Sequence, residues 1–171
     1  MEQLKAFLED NKERFLNELL DLLRIPSVSA DEKFAGDVHH AAQYVRDCLE
    51  KAGVERAEIC NTLGYPVVYG EKILDSKLPT VLVYGHYDVQ PAEPFELWTS
   101  PPFEPRIQGR SLFARGASDN KGQHLAHLNA VEAYLKTGTE LTCDLTFVIE
   151  GEEEVGSVNL ARFLRQHRKE L

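Results

Sequence analysis

The chain has 171 residues, 43% of them hydrophobic and 27% charged, with a formal net charge of −9. That length and balance describe one globular domain with a full core. The acidic excess argues against nucleic acid as a partner, which needs a basic footprint, and without an apolar run of about eighteen residues the chain offers no membrane span.

The opening stretch, "MEQLKAFLEDNKERF", mixes charges of both signs and lacks the apolar core of a secretory signal. Cys48, Cys60 and Cys143 are odd in number and show no paired spacing, so they read as reduced thiols of a cytoplasmic protein. Leu4, Leu8, Phe15, Leu19, Leu20 and Leu23 recur at helical spacing, which predicts a helix over 2–24 that Pro26 ends. A second helix is predicted over 36–52, with Val38, Ala42, Val45 and Leu49 on one face and Gly53 as its stop. Strands follow at 56–60 and 65–73. The run "PTVLVYGH" is short, apolar and β-branched, which predicts a strand covered on both faces.

Residues 91–111 hold five of the eight prolines and the only tryptophan, Trp98. Trp98, Phe95 and Phe103 need something to pack against, so this stretch reads as an ordered loop. A helix over 121–136, stopped by Gly138, is followed by a strand in "LTCDLTFVIE" and a last helix over 157–169 with a cationic end. The order α-α-β-β-β-loop-α-β-α predicts an α/β three-layer sandwich with a mixed, largely parallel sheet. No repeat, low-complexity segment or internal boundary interrupts it.

Three polar clusters sit at the ends of these elements: His86 and Asp88 after "VLVYG", Asp119 in "ARGASDNKG", and "EGEEEVGS" after "LTFVI". Ligands collect at the carboxyl ends of strands in open α/β sheets, and a histidine with several carboxylates is a donor set that zinc accepts. Each cluster also has a plain reading. His86 could be a hydrogen-bonded turn histidine, Asp88 a turn or cap residue, and Asp119 the N-cap of the following helix. Glu152, Glu153 and Glu154 could form a solvated run, although adjacent carboxylates at a strand end repel unless a cation sits there. Glu150 could simply pair or cap. His124 and His127 are assigned to packing and surface, because no glutamate accompanies them as in a zincin helix. Arg115 and Lys121 could steady Asp119 or lie on the surface.

Taken in order, "GHYDVQPAEPFELWTSPPFEP", "LFARGASDNKG" and "FVIEGEEEVGS" closely resemble the carnosinase-like, zinc-dependent dipeptidases, within the larger family that includes aminoacylase and glutamate carboxypeptidase. The resemblance begins near "LLRIPSVSA" and covers nearly the whole chain. It implies two zinc ions, with manganese or cobalt as possible substitutes. It implies His86 as a ligand of one ion, Asp88 as the residue that orients His86, and Asp119 as the bridge between ions. It implies Glu153 as the general base, Glu154 as a ligand of the second ion, and Glu152 at a variable position. A cis peptide after Asp119 is implied as well.

The same family carries two further ligands, a carboxylate and a histidine, beyond the third motif, together with a second domain for substrate binding and dimer contacts. Only three of five ligands (His86, Asp119 and Glu154) are therefore expected here. The expectation is an N-terminal portion of the catalytic domain, inactive or nearly so alone and prone to associate, from an enzyme that is a homodimer when complete. A non-catalytic binding module that kept the fold, and an amidohydrolase acting on acylated amino acids, remain as alternatives.

Overall fold

The computed structural model describes residues 1–169 of the 171. Helix α1 runs Glu2–Arg24, α2 Ala35–Ala52, α3 Lys121–Thr137 and α4 Leu160–His167. Strands are β1 Arg56–Cys60, β2 Val67–Lys72, β3 Thr80–His86, β4 Arg106–Gln108, β5 Ser111–Phe113 and β6 Asp144–Glu150. The first helix stops where expected: Ile25, held extended by the following proline, leaves the helical region at φ −79° and ψ 112°. Gly53 and Gly138 terminate α2 and α3 at φ 95° and 63°, the left-handed conformation that a side chain disfavours. Among the described residues no helix is long and apolar enough to cross a membrane.

Four strands form the main sheet in the order β1-β2-β6-β3. Its mixed character is as expected, but parallel pairing is confined to β3 with β6; β1–β2 and β2–β6 run antiparallel. The strands leave three layers. On one face Leu22, Val38, Val45, Leu49, Leu125 and Leu128 from three helices meet Val68, Leu145, Phe147 and Ile149. On the other, Phe163 of α4 packs on Val67, Tyr69 and Val148.

Three expectations need correction. The strand covered on both faces is β6, buried at every residue, whereas β3 lies at the sheet edge with Val81, Leu82 and Tyr84 46%, 54% and 48% exposed. An apolar β-branched run reports strand propensity; its place in the sheet depends on neighbours distant in sequence. The stretch after Pro91 is ordered as expected, with Trp98 Nε1 donating to Ala92 O at 2.8 Å and the Arg115 guanidinium over its ring. It also leads into a small hairpin, β4–β5, that the proline-rich context concealed. Finally, the last helix is shorter than 157–169: it runs Leu160–His167 behind its N-cap Asn159, and a separate 3-10 turn, Glu153–Val155, closed by Gly156 at φ 94°, precedes it.

Candidate metal centre

The register of β3 and β6 explains why two of the three clusters meet. The strands run side by side until His86 pairs with Glu150, and Tyr87 N–H then donates to Glu150 O at 2.9 Å. Whatever follows each strand is therefore delivered to the same end of the sheet. The third cluster arrives through the segment before α3, where Asn120 Oδ1 accepts from the backbone N–H of His86 at 3.2 Å. The Asp119–Asn120 peptide is cis.

His86 is 4% exposed. Its Nδ1 lies 3.1 Å from the carbonyl oxygen of Asp88 and 3.3 Å from Asp88 Oδ1. Its Nε2 faces the other way, 3.1 Å from Asp119 Oδ1 and 3.8 Å from Glu153 Oε2. Burial pushes the imidazole pKa down, but the hydrogen bonds and charge of Asp88, with Glu153 adding to them, outweigh it and lift the value to about 9. The surrounding carboxylates thus favour positive charge at this position.

Asp88 is fully buried, and its two oxygens meet several donors. Oδ1 accepts from Glu153 N–H at 3.3 Å, while Oδ2 accepts from Glu154 N–H at 3.1 Å and Ser29 Oγ at 2.6 Å. The residue expected to orient the histidine also grips the backbone of both glutamates. Glu154 in turn receives Gln90 Nε2 on its Oε2 at 2.7 Å. Burial raises the Glu154 pKa, against that hydrogen bond and with the charges of Asp119 and Glu153 adding to it.

One ligand atom each from His86, Glu153 and Glu154 lie within 4.8 Å of one another. Asp119 stands outside that group, with its side chain 74% exposed, and touches it through His86 Nε2. Asn120, not Asp119, is the N-cap of α3 and makes no side-chain cap bond, so the plain N-cap reading of Asp119 fails. The donor set, one imidazole nitrogen and several carboxylate oxygens, suits a divalent cation in place of the proton on Nε2.

Other candidates take structural places. Glu150 is buried and accepts from Tyr84 Oη and Ser157 Oγ, both at 2.7 Å. Lys121 is buried and caps the end of α1, donating to Leu22 O at 3.0 Å and Ile25 O at 2.7 Å; burial pulls its pKa down to about 7. His124 is fully enclosed, and burial lowers it to about 3, while His127 is exposed. Arg115 Nη2 donates to Pro91 O at 3.0 Å. Ser29 and Gln90 were not singled out in the sequence. Gln90 stands two positions past Asp88 and was within reach of a spacing argument, whereas Ser29 is 59 residues from its partner and carried no local signal.

Fold and site together define a metallopeptidase-like α/β domain. Residues 82–170 match the model of peptidase family M20/M25/M40, and the chain belongs to that family. Among curated relatives, Cys-Gly metallodipeptidase DUG1 of Candida albicans is 35% identical over 90% of this chain and 34% of its own length. Human Beta-Ala-His dipeptidase is 29% identical over 98% of this chain and 36% of its own. Among solved structures, human carnosine dipeptidase 1 superposes with a TM-score of 0.89 at 30% identity, over 97% of this chain and 37% of that one. The dipeptidase Dug1p of Saccharomyces cerevisiae gives 0.87 at 29% identity, over 96% and 37%. The chain spans about a third of the length of the curated relatives it matches.

Proposed function

We propose that this chain carries part of the site of a metal-dependent dipeptidase, which hydrolyses the amide bond of a dipeptide. The observation that carries the reading is the convergence of His86, Glu153 and Glu154 within 4.8 Å at the end of two parallel strands. His86, Asp119 and Glu154 are the proposed ligands, Asp88 orients His86, and zinc is the expected metal, with manganese or cobalt as substitutes. When bound, the metal supplies Lewis acidity, making water easier to deprotonate and the scissile carbonyl easier to attack. Glu153, its side chain 42% exposed, is free to take the proton from that water. It then returns the proton to the amine as the C–N bond breaks. Its backbone N–H is meanwhile held by Asp88, which keeps the carboxylate near His86.

Three ligands, one of them shared, are fewer than a pair of zinc ions requires. The 171 residues alone are therefore proposed to be inactive or nearly so. A complete enzyme would draw its remaining ligands from a longer chain or a partner.

The test is zinc-dependent hydrolysis of a dipeptide panel by the protein as its own cell makes it. The Glu153→Gln variant should lose about 10²–10⁴-fold in kcat while still binding metal. A variant as fast as the parent would remove Glu153 from the chemistry. A metal-loaded protein silent on the whole panel would leave the binding-module reading.

A further inference from the structure

Glu152 belongs to a run of three glutamates, yet it is only 8% exposed. Its Oε1 accepts from Tyr65 N–H at 3.2 Å and from Asn159 Nδ2 at 3.1 Å, and its Oε2 accepts from Asn159 Nδ2 at 2.9 Å. The connection between β1 and β2 closes tightly over this carboxylate: a Cβ at Gly64 would collide with Glu152 Oε1 and Asn159 Nδ2. The backbone carbonyl of Glu152 receives the N–H groups of Val155 at 3.2 Å and Ser157 at 2.7 Å. Burying a carboxylate against neutral donors costs more than burying an apolar side chain of similar size. An apolar residue here would fill the space but could not hold Tyr65 and Asn159.

The next two residues are Glu153 and Glu154, whose N–H groups are held by Asp88. The turn that presents them is thus gripped from two sides. From this the geometry points to Glu152 as a positioning residue: it locks the 152–157 turn to the 61–66 connection and to Asn159, and so sets where the two carboxylates stand relative to His86. The inference rests on the proposed metal site and adds to it a residue that the motif leaves open.

Zinc binding to the protein as its own cell makes it, followed by calorimetry, is compared with Glu152→Ala, Glu152→Gln, Asn159→Ala and the control Glu154→Ala, alongside the visible spectrum of cobalt-loaded samples. Urea midpoints measured without metal identify the variants that remain folded. Glu152→Ala and Asn159→Ala should each weaken zinc binding by about tenfold or more and alter the cobalt spectrum. Glu152→Gln should recover most of the affinity, since the Asn159 amide can turn to accept from the new NH2 group. Parental affinity in folded Glu152→Ala would overturn the inference, as would a Gln variant no better than Ala. If Glu152→Ala does not fold, Asn159→Ala decides by the same criterion. Should the parent bind no zinc, or Glu154→Ala bind it unchanged, the metal-site reading itself fails, a different result from either of those.

Discussion

Asp88 shows how much one side chain can be asked to hold. Its carboxylate faces the His86 ring, two backbone N–H groups of the glutamate turn and the Ser29 hydroxyl, all without solvent. Asp88→Asn keeps the shape but turns an NH2 group toward donors, and an unsatisfied buried donor costs about 1–3 kcal/mol. We expect a stability loss of about 3 kcal/mol in urea denaturation of the metal-free chain. A loss below about 0.5 kcal/mol, the range of an ordinary surface change, would show that Asp88 is not the hub described. Cys48 illustrates the opposite case, a group silenced by its surroundings. Burial first, then the charge of Glu18, pushes its thiol from 9.0 up to about 12. Because the folded pKa is raised, the thiol's contribution to stability is fully present below 9.0 and is lost as pH rises through 12. At about pH 8.5 its alkylation in the folded chain should be about a hundredfold or more slower than in denaturant, since only the thiolate reacts. Peptide mass mapping reads this directly, and equal rates in both states would refute it.

At the scale of elements, β3 and β6 divide the work. Their parallel register carries two clusters to one end of the sheet, and β6 is enclosed while β3 is not. An edge strand bearing Val81, Leu82 and Tyr84 at about half exposure is a template for further pairing or packing. This edge is the surface through which the chain is expected to self-associate. Leu82→Lys should shift sedimentation of the chain toward monomer at a concentration where the parent associates, because a charge on an edge opposes pairing. Identical sedimentation of the two would place the contact elsewhere. Both clusters at these strand ends were legible in the sequence, because a polar motif after an apolar run marks a strand end. The edge position of β3 was not, since exposure depends on which strands lie beside it. The β4–β5 hairpin escaped for a related reason: three-residue strands carry too little pattern to stand out from proline-rich surroundings.

At the scale of the molecule, three helices on one face of the sheet and α4 on the other form the framework that brings residues 29, 86–90, 119 and 152–154 together. Helical periodicity, the stops at Pro26, Gly53 and Gly138, and the ordered polar motifs were determined by the sequence itself. Each is a local pattern or a resemblance carried by contiguous residues, and these sufficed for the α/β class, the family and the proposed site residues. Only the tertiary structure decided that Asp88 binds the glutamate backbone as well as His86, that Ser29 and Gln90 join the site, and that Glu152 is an anchor instead of a solvated charge. Those roles are hydrogen bonds between segments as many as 87 residues apart, and a hydrogen bond depends on distance and direction in space, which residue order does not state.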